Sequence, residues 1–209
     1  MEEPPIKLEQ GASVVFDGFC LHIGPFALTS PLLLLQGPNG CGKTTLLRVL
    51  AGTQTLARGA RVASPDLRVG YVPQTYRDAL LPWMSARRNL GLLDHSVEGM
   101  AECLVKMGMS QRDLDKRPYQ LSGGQCQRLV LLRECFFRPD VLLLDEPFAA
   151  LDVHVFDQAG ELVFETIAQG TRVVIATHDP LPTCLSSCRQ TAIRIVRTAD
   201  TEARVGAQT

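Results

Sequence analysis

Along the chain, short and mostly apolar runs alternate with stretches whose apolar positions recur at helical spacing. Leu32 to Leu35, Val69 to Val72, Val141 to Leu144 and Val173 to Ala176 are runs of this kind. Fully buried strands of a parallel sheet look like this, because both of their faces meet apolar layers. Thr44 to Leu50 reads as a helix opening just after the first run, and Cys126 to Phe137 as a later one that Pro139 closes. The alternation predicts a layered α/β domain with a largely parallel central sheet.

Between Gln74 and Leu121 the pattern changes. Pro82, Trp83 and Met84 are followed by apolar residues at helical spacing around Leu90, Leu92, Leu93, Leu104 and Met107. This segment is expected to be a mostly helical insertion within one domain spanning 1–209. The core would be about 1–74 and 120–197, with the helical part about 75–120. The small, polar stretch 198–209 is expected to fray.

Composition narrows the function classes. The 209 residues carry a formal net charge of -1 and are 45% hydrophobic, enough for one sizeable core. A near-neutral chain gives no support to a nucleic-acid partner, which favours a basic face. The apolar runs at 31–35 and 141–144 fall far short of the roughly 20 residues that span a bilayer. The acidic, apolar-poor start, Met1 to Pro5, does not read as a signal peptide. Any membrane role is therefore expected to come through a partner. The seven cysteines show no paired spacing, and Cys184 and Cys188 lack a nearby histidine to complete a metal site. They read as reduced thiols.

The first candidate chemistry is Gly37-Pro38-Asn39-Gly40-Cys41-Gly42-Lys43-Thr44, which fits G-x-x-x-x-G-K-[ST] between a strand and a helix. Glycines let successive backbone N–H groups point into one concavity, and the helix N-terminus adds a positive dipole end. Lys43 would reach the β- and γ-phosphates, and the Thr44 hydroxyl would ligate Mg²⁺. A nucleoside triphosphate site is expected here.

Two further stretches sharpen this. Leu121-Ser122-Gly123-Gly124-Gln125 precedes the second helix, with Ser122 suited to N-cap it and the glycines leaving backbone N–H groups exposed. Val141-Leu142-Leu143-Leu144-Asp145-Glu146-Pro147 is an apolar strand ending in two carboxylates. A strand end holds acids rigidly beside the phosphate loop, so that Asp145 can bind Mg²⁺ through water and Glu146 can polarise the attacking water.

Together with Gln74, Ala150-Leu151-Asp152 and His178, these motifs resemble the ATP-binding-cassette (ABC) ATPases, in the same order and over most of the chain. The resemblance implies a P-loop NTPase with a RecA-like parallel core, a reduced antiparallel β-subdomain and the helical subdomain already placed. It implies nucleotide contact by residues 37–44 and Thr45, and catalytic parts for Lys43, Gln74, Glu146 and His178. Mg²⁺ would be held by Thr44, Gln74 and Asp145. Phe16, or failing that Phe19, would stack on adenine. Ser122, Gly123, Gly124 and Gln125 would meet the ATP of a second cassette, in a homodimer or heterodimer, and Asp152 would communicate between the two.

The resemblance further implies a peripheral cytoplasmic subunit that powers integral-membrane permease subunits. Leu80-Leu81-Pro82-Trp83 looks like the stretch in importer ATPases for nitrate, sulfonates and taurine, which also work with a solute-binding protein. Trp83 would either receive the permease or sit in the subdomain core. A haem-exporter-like cassette and a soluble, non-transport ABC ATPase stand as alternatives. Cys41, inside the phosphate loop, and Cys126, directly after the signature, are expected to approach the nucleotide interface, where either oxidation would block closure or the thiols are only tolerated small residues.

Overall fold

The structure is a computed structural model and describes residues 3–16, 18–93, 97–149, 151–199 and 201–206. In chain order it contains β1 (Ile6–Leu8), β2 (Ala12–Phe16), β3 (Phe19–Ile23), β4 (Phe26–Ala27), β5 (Leu32–Gln36), α1 (Lys43–Ala51), β6 (Arg61–Ala63) and β7 (Val69–Val72). The helical part follows as α2 (Ala86–Leu90) and α3 (Val97–Lys106), among short 3-10 turns at Tyr76–Ala79, Gly91–Leu93, Gln111–Asp115 and Pro118–Gln120. Then come α4 (Gly123–Phe136), β8 (Val141–Asp145), α5 (Val153–Ala168), β9 (Arg172–Ala176), α6 (Thr183–Ser186), β10 (Gln190–Ala199) and β11 (Glu202–Val205).

The main sheet runs β2-β3-β11-β10-β5-β9-β8-β7, and β10, β5, β9, β8 and β7 pair in parallel. Side chains alternate across a strand, so each run feeds two layers. Leu32, Leu34, Leu142, Leu144, Val173 and Ile175 pack under α4, α5 and the helical part, whereas Leu33, Leu35, Val141, Leu143, Val174 and Ala176 pack under α1 and the N-terminal strands. That double burial is why the runs are continuously apolar. A separate three-stranded antiparallel sheet, β4-β1-β6, is the small β-subdomain.

Helix α4 is surrounded by the helical part, α5 and the sheet, and most of its residues from Cys126 to Cys135 are buried. A buried ion pair, Arg133 Nη2 to Glu134 Oε1 at 2.8 Å, is intrahelical. In the helical part Leu90, Leu104 and Met107 are buried as their spacing predicts, but Leu92 is exposed. The side chain of Leu93 lies outside the described residues, as does Ala150. Trp83 does not join this core; 65% of its surface is exposed.

The tail corrects the sequence reading. Instead of fraying from 198 onward, the chain turns back and β11 inserts between β10 (antiparallel) and β3 (parallel), with Ala203 fully buried. The cause is non-local. Small, polar residues give little periodic signal, but two neighbouring strands supply partners for their backbone groups on both sides. Replacing Ala203 by Asp should therefore lower the stability of the fold by about 3 kcal/mol or more, since it buries an unpaired charge. A urea midpoint unchanged by Ala203→Asp would show that the tail is not part of the sheet.

Candidate active site

Parallel strands point the same way, so the residues that follow β5, β7, β8 and β9 gather at one edge of the sheet. There, a cleft of about 440 Å³ is lined by Phe16, Asn39, Gly40, Gly42, Lys43, Thr44, Thr45, Gln74, Asp145, Glu146 and His178. They come from five separate pieces of chain, and the fold alone makes those pieces neighbours.

The loop from 37 to 42 is shaped by its glycines. Gly42 is the N-cap of α1 with φ 105°, a left-handed conformation that side-chain-bearing residues rarely adopt. At Gly37, with φ 153°, an added Cβ would lie 2.6 Å from the Ile195 carbonyl oxygen and 2.7 Å from Cys41 Sγ. Lys43 starts α1 and is buried, with its Nζ donating to the carbonyls of Gly37 at 2.9 Å and Pro38 at 3.4 Å. An ammonium has a third donor, and the cleft is where it can act.

The two acids are held differently. The Thr44 hydroxyl donates to Asp145 Oδ2 at 2.6 Å, joining α1 to β8. Burial pushes the Asp145 carboxyl above the usual carboxylate range, and the neighbouring Glu146 charge adds to this; the Thr44 bond and the Lys43 and Arg48 charges oppose it only in part. Glu146 takes a positive φ of 51°, fixed by its N–H bond to the Ala176 carbonyl at 2.8 Å. Its Oε1 pairs with His178 Nδ1 at 2.8 Å, while its buried Oε2 has no protein partner. The Glu146 bond and charge, with that of Asp179, raise the His178 pKa. The imidazole is 53% exposed, so this pairing biases its protonation more than it stabilises the fold.

Of the residues singled out from sequence, Phe16 lines the cleft, and Phe19 packs behind it with ring centroids 5.2 Å apart. Gly37 and Pro38 line an adjoining cleft with His178 and Asp179. Cys41 lies beneath the loop and is fully buried. Ser122, Gly123, Gly124 and Gln125 do not line the cleft. Ser122 caps α4 through a reciprocal box with Gln125, and Ser122 and Gly123 face solvent. Asp152 is exposed and caps α5, accepting from the Val155 N–H at 3.1 Å.

The thiol hypothesis fares poorly for Cys126, which is fully buried and whose pKa burial raises. A buried, protonated thiol is a weak nucleophile. The sequence reading passed over Arg77 and Gln127. Gln127 Nε2 reaches the Pro147 carbonyl at 2.5 Å, joining α4 to the turn after the acids. No local pattern signals such long-range ties.

Comparison with known proteins adds the family. The ABC transporter family profile matches residues 29–149. The chain is 41% identical over 180 residues to the aliphatic sulfonates import ATP-binding protein SsuB 3 of Paraburkholderia xenovorans, covering 83% of this chain and 68% of that one. It is 39% identical over 182 residues to the taurine import ATP-binding protein TauB of Chromobacterium violaceum, covering 80% and 67%. An uncharacterized ABC transporter ATP-binding protein of Haemophilus influenzae is 37% identical over 183 residues, covering 82% and 75%. Among solved structures, a dimeric ATP-binding cassette in a post-hydrolysis state bound to ADP and Pi shares the fold. Its TM-score is 0.74 at 22% identity, covering 98% of this chain and 97% of that one.

The raised Asp145 pKa makes a testable trade-off. A carboxyl whose folded pKa lies above its unfolded value weakens the fold once pH rises past the unfolded value and the group ionises. Asp145→Asn should therefore raise the urea midpoint at neutral pH, and the gain should shrink on acidification. An unchanged or lower midpoint at pH 7 would contradict this account of the site.

Proposed function

The chain belongs to the ABC transporter family of ATPases, and on that premise we propose that it is one of two cassettes that close around two ATP molecules to drive a membrane permease importing a small solute. One observation carries this reading: the cleft gathers Phe16, Lys43, Thr44, Thr45, Gln74, Asp145, Glu146 and His178, whereas none of Ser122 to Gln125 lines it, and Ser122 and Gly123 are exposed. A site whose last donors lie elsewhere on the same chain is completed by a second copy or a related cassette. Asp152 and the neighbouring Val153, an apolar residue 79% exposed, are likewise left uncovered.

Within the cleft Phe16 stacks on adenine, and the backbone of residues 37–42 with Thr45 cradles the phosphates. Lys43 places its charge at the terminal phosphates. The oxygen donors Thr44, Asp145 and Gln74 line one cleft and suit Mg²⁺. When bound, Mg²⁺ would neutralise phosphate charge. Glu146 Oε2, buried and without a protein partner, accepts a proton from the attacking water while Oε1 stays on His178. His178 then also reaches the γ-phosphate. Ser122 and the Gly123 and Gly124 amides of the partner cassette meet the charge that develops there.

Import is supported by the sulfonate and taurine relatives and by Trp83, whose exposure suits a surface that receives a permease. Among the described residues no helix is long and apolar enough to cross a membrane. The permease would hold the chain at the inner face of the membrane, and a solute-binding protein outside would supply the cargo.

Glu146→Gln removes the base and keeps the shape. Hydrolysis should fall at least about a hundredfold, and ATP with Mg²⁺ should convert monomer to dimer in light scattering. A Glu146→Gln protein that stays monomeric at saturating ATP would refute closure by this chain around its own copy.

A further inference from the structure

We propose that Arg77 is a positioning residue that carries the state of the Gln74 segment to the Ser122–Gln125 segment. The inference rests on the two-cassette reading above and names the part of the chain that couples its two half-sites.

Arg77 follows Gln74 by three residues, in the 3-10 turn Tyr76–Ala79. Its guanidinium crosses to the far end of the helical part, where Nη1 donates to the Pro118 carbonyl and Nη2 to the Leu121 carbonyl, each at 2.8 Å. The two carbonyls bracket the 3-10 turn Pro118–Gln120, and the second belongs to the residue just before Ser122. The Leu121–Ser122 peptide is thus gripped on both edges. Arg77 holds its oxygen, and the Gln125 side chain holds its N–H, at 2.9 Å, within the capping box that starts α4. Rotating that peptide breaks both contacts, so a displacement of Arg77 turns the Ser122 cap with it.

Chemistry explains the residue type. A planar guanidinium presents parallel donors in a fixed fork and can hold two carbonyls at once, whereas a lysine offers a point charge on a flexible stem. The placement is equally specific. Arg77 does not line the nucleotide cleft, but Gln74 does. Its effect on ATP must therefore pass through the segments it joins. The opposite tie, Gln127 to the Pro147 carbonyl, fixes α4 to the acid turn. Arg77 is the tie that runs to the segment leaving Gln74.

The test uses the full chain carrying Glu146→Gln, alone and combined with Arg77→Lys, Arg77→Ala, Gln74→Ala, and Arg77→Ala with Gln74→Ala. Fluorescent ATP binding to the dilute monomer should change less than about twofold on substituting Arg77, which makes no cleft contact. The concentration needed for ATP-driven dimerisation should rise about tenfold for both Arg77 substitutions, the size of one lost charged hydrogen bond. In the Gln74→Ala background the Arg77→Ala penalty should largely vanish. A merely structural role would instead lower the melting temperature and add to the Gln74 effect.

Unchanged dimerisation of the Arg77 variants, or a penalty fully additive with Gln74→Ala, overturns the proposal. Failure of the Glu146→Gln parent to dimerise brings down the two-cassette reading and this inference with it. That result is distinct from a parent that dimerises while the Arg77 variants match it.

Discussion

Two carboxyl groups removed from water set the terms for this molecule. Asp145 and Glu146 end a strand that is buried along its whole length, and they are themselves only 1% and 5% exposed. Charges so placed cost free energy unless partners are brought to them. The partners here arrive from two other elements, α1 and the end of β9. The Thr44 hydroxyl comes from α1, the His178 imidazole from the end of β9, and the carbonyl that fixes the Glu146 backbone from Ala176. The parallel order β5-β9-β8 is what puts those elements side by side. A positive φ at a non-glycine residue is a strained conformation that persists where the surroundings dictate it, and Glu146 has it beside the cleft. Strain, burial and one unpartnered oxygen thus coincide on a single side chain.

What could be read in the sequence followed from how local the cause was. The runs at 32–35, 141–144 and 173–176 were legible because double burial leaves no polar position in them, and the phosphate loop because its glycines serve backbone geometry within a few residues. The Ser122 cap was legible for the same reason, its partner Gln125 being three residues away. Causes that act across the fold left no such trace. Strand β11 owes its place to β3 and β10, and Ala203 is too small to announce its burial. Trp83 could not be assigned to core or surface from its neighbours' types. Its exposure is settled by Asn89, a fully buried residue whose amide makes hydrogen bonds to Leu81, Met84 and Ser85 and thereby shapes the loop that carries it. The site residues were found in sequence as separate motifs. That the Ser122 segment stands apart from the others is a fact of three dimensions.

The helical part is joined to the sheet by two kinds of contact, and they do different work. Apolar packing is continuous from Met100 and Leu104 through α4 to Val173 and Ile175, which sets the strength of attachment. Among the described residues, polar ties run from a side-chain N–H donor to a backbone carbonyl: Arg77 to Pro118 and Leu121, Arg128 to Met107, Gln127 to Pro147. Apolar contacts are non-directional and tolerate a small slide of one layer over another. Fork-shaped hydrogen bonds do not, since they hold only near their proper geometry. A segment attached in this way has few discrete positions, and the ties choose among them.

That division of labour bears on how a nucleotide-driven motion could be transmitted. A continuously deformable join would dissipate a sub-ångström shift at Gln74 before it reached the surface that carries Ser122. A join with directional ties passes it on as a change of register, because packed interfaces move between discrete arrangements. The exposed ends of this arrangement are Trp83 on one side and Ser122 and Gly123 on the other, and both are anchored by buried or bracketing polar groups. The chain has therefore made rigid the very segments that it leaves uncovered. Rigidity at an exposed surface is worth its cost when something must be met there in a fixed orientation.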